Sequence, residues 1–152
     1  MDSAFNSSGL EVPKNNFLIV ENDPNDAFLI KRALQLIPHC GASFVCRNAS
    51  EAKAYLRGAG MYADREKFPF PRVVLSDLRM GEETGIELVA WIRKQPSPTG
   101  ELTAIILTGS ATSKQYEEAE RVGAQKVYRK PTLVVDLEKL LVNIAQEFCS
   151  RE

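Results

Sequence analysis

The chain has 152 residues, 44% of them hydrophobic and 26% charged, with a formal net charge of -1 at pH 7. That length suits one domain with a sizeable core, and the near-neutral balance gives no electrostatic reason to expect nucleic acid as a partner. Three cysteines, Cys40, Cys46 and Cys149, lack CxxC spacing and argue against a disulfide framework or a zinc site. They fit a reducing cytoplasm, and no apolar run approaches the roughly 18 residues that cross a bilayer.

Residues 1–14 (MDSAFNSSGLEVPK) are small and polar and read as a flexible arm ahead of a domain at 15–149. Phe17 to Glu21 is a short apolar strand ending in acid, and Asp23-Pro24 starts a helix, with Asp as cap and Pro where no donor is lost. Ala27, Ile30, Leu34 and Ile37 follow at helical spacing until Pro38. Ala42 to Cys46 is a second strand. Ser50 and Glu51 open a helix closed by Gly58 and Gly60, and the prolines of MYADREKFPFP exclude regular structure from the loop that follows.

Val73, Val74 and Leu75 read as a strand buried on both faces that stops at Asp77. Ile86, Val89, Ala90 and Trp91 lie on the next helix, which QPSPTG ends. Leu102 to Thr108 is the fourth strand, Ala111 to Val122 a polar helix ended by Gly123, and QKVYRK a short fifth strand before Pro131. Leu133, Leu137, Leu140, Leu141, Ile144 and Phe148 make a final amphipathic helix. Strict alternation of strand and helix implies an α/β domain: a doubly wound parallel sheet with helices on both faces.

Sheets of this kind bind ligands outside the carboxyl ends of their strands. Those ends deliver Glu21, Asn22 and Asp23 from the first strand, Asp77 from the third, Thr108 with Gly109 from the fourth, and Lys130 from the fifth. Oxygen ligands in a partly hydrated site suit magnesium, and a carboxylate beside it can attack phosphorus to form an acyl phosphate. The spread charge of the transferring group calls for an ammonium and hydrogen-bond donors, roles open to Lys130, Thr108 and the Gly109 backbone N–H.

IVEND, SDLRMGEETG, LTGS and YRKP together resemble the four motifs of the receiver domains of two-component response regulators, over about residues 16–148. The resemblance implies a flavodoxin-like five-stranded sheet in the order 2-1-3-4-5. It implies that Asp77 accepts a phosphoryl group from a phosphohistidine on a sensor histidine kinase, and that phosphorylation pulls Thr108 inward. Lys130 and Thr108 would assist, and Thr108, Lys130 and Gly109 would hold the phosphoryl oxygens. Mg2+ would be held by Glu21, Asp77 and the backbone carbonyl of Arg79. The Lys130–Pro131 bond would be cis. Signalling, and a homodimer, would use the face of the fourth helix, fifth strand and fifth helix. Such a chain is a phospho-acceptor with slow autodephosphorylation rather than an enzyme. No output domain is expected, and the long loop before the third strand is similar to stand-alone receivers paired with bacterial phytochrome kinases.

Three positions depart from the family pattern. Asn22 stands where the second acid is usual and offers an uncharged amide oxygen to the metal. Gly81 replaces a proline, and Val127 stands where an aromatic switch is common, with Tyr128 turned to the other face. A second reading therefore stays open: a phosphorylation-independent pseudo-receiver acting as a protein-interaction module. Arg79 is expected to face solvent, Met80 to pack, Asp23 to cap, and His39 to be structural or exposed.

Overall fold

Apolar residues occupy successive positions of the inner strands, so each strand feeds both faces of one sheet. In the computed structural model, which describes residues 15–149, the elements run β1 (Asn15–Val20), α1 (Pro24–Gln35), β2 (Cys40–Cys46), α2 (Ala49–Arg57), β3 (Val73–Ser76), α3 (Gly85–Arg93), β4 (Thr103–Thr108), α4 (Ser113–Val122), β5 (Lys126–Arg129) and α5 (Val134–Phe148). The strand order is β2-β1-β3-β4-β5 with every pairing parallel. This is the doubly wound order expected from the motifs. The expected arm at residues 1–14 lies outside the described residues.

The pleat divides the core by odd and even positions. Phe17, Ile19, Val73, Leu75, Ile105 and Leu107 face α1 and α5, where they meet Ile30, Leu34, Leu137, Leu141 and Ile144. Leu18, Val20 and Val74 face the other way, onto α2 and α3, and Ala104 and Ile106 pack with Ile86, Val89 and Ala119 of α3 and α4. Each fully buried Leu, Ile or Phe contributes roughly 1.5–3 kcal/mol. A register slip of one residue would exchange the two sets, so the pairing is strongly specified.

Helix starts sit where short polar side chains can take the first orphan N–H groups. Asp23 caps α1 by accepting from Asn25 N at 2.9 Å, as expected. The second helix begins one residue earlier than Ser50 because Asn48 accepts from Glu51 N at 2.8 Å. The fourth begins two residues later than Ala111 because Thr112 and Gln115 form a reciprocal capping box. Gly58 and Gly123 end α2 and α4 in the left-handed region.

The loop before β3 is more ordered than its prolines suggest. It opens with a 3-10 turn at Gly60–Ala63, and its rings pack on each other and on α2. Tyr62 and Phe68 lie with ring centroids 5.1 Å apart, and Tyr55 lies 4.9 Å from Tyr62. The Tyr55 hydroxyl donates to the Pro69 carbonyl at 2.8 Å. Arg65 donates to the carbonyls of Leu56 and Phe68, both at 3.1 Å. Aromatic area and a guanidinium fork replace the missing backbone ladder. Trp91 is half-buried on α3, covered by Lys53 and Arg57 at 5.6 and 5.8 Å from its ring.

Two sequence expectations are corrected. The Lys130–Pro131 bond is not cis: among the described residues the cis bond is Ser97–Pro98. The trans form is the ordinary preference even before proline; the Lys130 N–H extends the ladder to Thr108 O at 2.7 Å. The stretch after α3 does not merely break the chain, since Thr99–Glu101 makes a 3-10 turn.

At the opposite sheet end, Arg93 ties three segments together. Its guanidinium donates to Gly123 O at 3.0 and 2.8 Å, Gly100 O at 3.1 Å, Leu102 O at 2.6 Å and Gln125 Oε1 at 2.8 Å. Burial lowers its affinity for the proton, but a guanidinium stays charged. Arg93→Met leaves several carbonyls without donors and is expected to cost about 2–4 kcal/mol in urea unfolding. Arg93→Lys should recover less than half of that, because an ammonium cannot reproduce the fork. Recovery of full stability by lysine would contradict this assignment.

Candidate functional site

At the carboxyl edge, β1 and β3 run side by side and end in acids. Glu21 N donates to Cys46 O and Asp77 N to Val20 O, both at 2.9 Å, so the ladders hold each acid's backbone in place. The Glu21 side chain is only 2% exposed. One carboxylate oxygen accepts from Lys130 Nζ at 2.8 Å and the other from Asp23 N at 3.1 Å. Burial pushes its proton affinity up, and the bonds from Lys130 and the Asp23 N–H only partly offset that.

Asp77 keeps one oxygen engaged and the other nearly bare. Its Oδ1 accepts from Leu78 N at 2.7 Å. Its Oδ2 lies 3.8 Å from Lys130 Nζ, beyond hydrogen-bond distance. Ser76, buried at the end of β3, donates to the Asp77 carbonyl at 2.8 Å and steadies the peptide behind the acid. Gly85 starts α3 against that same carbonyl: a Cβ there would collide with the Asp77 backbone oxygen. A side chain at this position would therefore displace the loop that presents Asp77.

Lys130 projects from the end of β5 into the gap between strands. It meets Glu21 at 2.8 Å and, unexpectedly, Asp26 on the first turn of α1 at 2.9 Å. Burial alone would favour the neutral amine, but the bonds to Glu21 and Asp26 and the nearby Asp77 outweigh it and hold the ammonium above the ordinary lysine range. Asp26 carried a weak signal in the sequence. An acid three residues past a helix cap ordinarily complements the helix dipole, and only the fold brings it to a lysine 104 residues away.

Thr108 is buried at the end of β4, and its hydroxyl donates to Ser110 O at 3.1 Å. Arg79 is exposed, as expected, but its guanidinium donates to the same carbonyl at 2.9 Å and lies 3.3 Å from Ser110 Oγ. This bond joins the loop after β3 to the loop after β4 across the mouth of the site. Met80 packs in the core, as expected. Gly81 has φ of +97°, which proline cannot adopt, so this loop takes a different turn from the usual pattern. Asn22 and Gly109 are exposed at the rim. His39 is exposed with φ of 74°, and its carbonyl accepts from Asn15 Nδ2 at 2.6 Å.

The ligands that the motifs imply offer oxygen alone: the carboxylates of Glu21 and Asp77, the Asn22 amide and the Arg79 carbonyl. Among the described residues no group of three or more His, Cys, Asp or Glu side chains is arranged to hold a metal. Two carboxylates fit a hard cation that keeps most of its waters and do not fit a fully protein-caged ion.

Comparison with known proteins bears on the family and the fold. The family model for the response regulator receiver domain matches residues 17–144. An uncharacterised 14.6 kDa protein from Leptolyngbya boryana is 32% identical over 135 residues, 88% of this chain and 89% of its own length. The crystal structure of the phosphorylated cyanobacterial phytochrome response regulator RcpA superposes with a TM-score of 0.82 at 23% identity, covering 92% of this chain and 97% of that one. The Mn(2+)-bound form of response regulator Rcp1 gives 0.79 at 24% identity, with the same coverage of 92% and 97%. A response regulator in red light signalling of R. palustris gives 0.80 at 21% identity, covering 90% and 95%.

Asp26→Asn is expected to lower the proton affinity of Lys130, because it removes one of the carboxylates that raise it. A raised lysine contributes stability that is present below the ordinary value, about 10.4, and is lost as pH rises through the higher folded value. The variant should therefore lose less stability than the wild type between neutral and strongly alkaline pH. Carbon-detected NMR titration of the lysine ε position reads the first effect and urea unfolding across pH the second. An unchanged Lys130 titration would contradict the pairing.

Proposed function

The chain belongs to the response regulator receiver domain family, and from that premise we propose that Asp77 accepts a phosphoryl group from a phosphohistidine of a sensor histidine kinase. The observation that carries this reading is the state of the Asp77 carboxylate. It stands at the carboxyl end of the central strand with Oδ1 held by Leu78 N and Oδ2 without a close partner. An oxygen so oriented can attack phosphorus in line. The P–O bond to Oδ2 forms as the P–N bond to the imidazole breaks, and the histidine nitrogen keeps the bonding electrons.

Other residues of this chain supply the surroundings. Lys130 needs only to trade its Asp26 contact for a phosphoryl oxygen to neutralise charge at the acceptor. The Thr108 hydroxyl can turn from Ser110 O to another phosphoryl oxygen, and the Gly109 N–H lies on the same edge. Glu21, Asp77, the Asn22 amide and the Arg79 carbonyl would hold Mg2+, which when bound supplies further neutralisation of the transferring group. The bond from Arg79 to Ser110 must loosen as Thr108 moves, so it acts as a latch on the β4–α4 loop.

The output surface we assign is α4-β5-α5, also for a homodimer. Leu133, Val134 and Val135 are exposed at the start of α5 and give that end an apolar character. Thr108 lies between the site and α4, so its inward turn would bias that face between two arrangements. The likeness to phytochrome response regulators supports a phytochrome-type kinase as partner. No described helix is long and apolar enough to cross a membrane, and a cytoplasmic place fits a soluble kinase partner. The phosphorylated form would hydrolyse slowly on its own, without turnover of a separate substrate.

The pseudo-receiver reading draws on one observation: the second position of the acidic pair is an exposed, uncharged Asn22, and both Glu21 oxygens are already engaged. Magnesium affinity separates the readings. Millimolar or tighter binding supports phosphotransfer, and Asn22→Asp should tighten it several-fold by adding a charge. Undetectable binding supports the pseudo-receiver. Incubation with Mg2+ and acetyl phosphate is expected to add the mass of one phosphoryl group to the wild type and none to Asp77→Asn. Absence of the adduct with any donor would overturn the proposal.

A further inference from the structure

Away from the carboxyl edge, at the amino end of β2, two thiols meet. Cys40 opens that strand and Cys149 caps the end of α5. Both are free, both are partly exposed, and both pack at the border of the core beneath α1 and α5. They line one cavity of about 410 Å3 together with Leu36, His39, Glu138 and Val142. The Cys40 and Cys149 side chains hydrogen-bond to one another. The third cysteine differs: Cys46 is fully buried under α2, and burial pushes its thiol up to about 12.

We propose that Cys40 and Cys149 form a reversible disulfide site, oxidised by a small-molecule disulfide that reaches them through this cavity. The neighbouring Cys149 thiol lowers the proton affinity of Cys40, so Cys40 is taken as the attacking sulfur and Cys149 as the resolving one. The Cys40 thiolate attacks one sulfur of the oxidant, whose S–S bond breaks and releases the first small thiolate. That thiolate takes the Cys149 proton. The Cys149 thiolate then attacks Cys40, the mixed S–S bond breaks, and the second small thiolate leaves. Two protein thiols lose two electrons, and the oxidant is reduced to two thiols.

The cavity matters because a mixed disulfide must fit beside Cys40 before Cys149 resolves it. Its walls are mostly apolar, with the His39 and Glu138 side chains among its lining residues. The bond would close a loop of roughly 110 residues and tie the last turn of α5 to the first residue of β2. It lies at the sheet end remote from Asp77, so its chemistry is independent of phosphorylation.

The full chain is equilibrated with oxidised and reduced glutathione at graded ratios, quenched in acid and examined by intact mass and peptide mapping. The expected product has lost the mass of two hydrogens and yields one cross-linked pair containing Cys40 and Cys149. Cys149→Ser should stop at a stable glutathionyl adduct on Cys40, and Cys46→Ser should behave as the wild type. Peptide mapping of the wild type decides alone if a serine variant fails to fold. The proposal is overturned by a stable glutathionyl adduct on the wild type without the cross-link, by a cross-link that includes Cys46, or by two thiols that stay reduced at every ratio.

Discussion

One ammonium group organises the functional edge of this protein. Lys130 reaches from the last strand across the sheet and sits among Glu21, Asp26 and Asp77, at 2.8, 2.9 and 3.8 Å. Glu21 is buried, and a buried carboxylate without a counter-charge costs several kcal/mol. The lysine is thus the reason an acid can stand at the end of β1 at all. Its two short contacts go to Glu21 and Asp26, which leaves Asp77 neighboured but not neutralised. Under the proposed function, a carboxylate in that state remains nucleophilic, and a lysine able to balance a phosphoryl charge is already within reach.

The sheet order makes this arrangement possible. With β1 and β3 adjacent in the middle, their carboxyl ends place Glu21 and Asp77 next to each other, and β4 and β5 bring Thr108 and Lys130 from one side. Backbone ladders fix where each residue leaves the sheet, while the loops set the finer geometry. Ser76 and Gly85 both press on the Asp77 carbonyl, and Arg79 and Thr108 share the Ser110 carbonyl. Two donors on one acceptor link the loops after β3 and β4. On the proposed reading, a change at Asp77 has a short physical route to α4 through these shared bonds. The buried strands behind these loops are apolar on both faces and provide little freedom to absorb the change elsewhere.

Much of the fold was legible because its signals are local. Asp23-Pro24 announces a helix start from cap chemistry alone, and the apolar runs of β1, β3 and β4 have no other stable use than a sheet covered on both sides. The residues gathered at the carboxyl edge were legible as strand ends, since topology brings strand ends together. What stayed hidden depends on side chains meeting across long sequence distances. Asp26 reads as a dipole-complementing acid until α1 docks beside β5. Arg79 is solvent-facing as its sequence suggests, but its bond to the Ser110 carbonyl is not visible there. The prolines of residues 61–71 argue against regular structure, yet they do not reveal that Tyr55, Tyr62, Phe68 and Arg65 build a packed loop from side chains. Cys40 and Cys149 stand roughly 110 residues apart and line one cavity only because α5 packs along α1.

The most direct measurement of the Lys130 account is a crystal structure of the protein with Mg2+ and beryllofluoride, a mimic of the phosphoryl group. The adduct is expected on Asp77 Oδ2, with Lys130 Nζ moved off Asp26 and bonded to fluoride. An Asp77 carboxylate left unmodified, or a lysine still held by Glu21 and Asp26 beside a formed adduct, would contradict it.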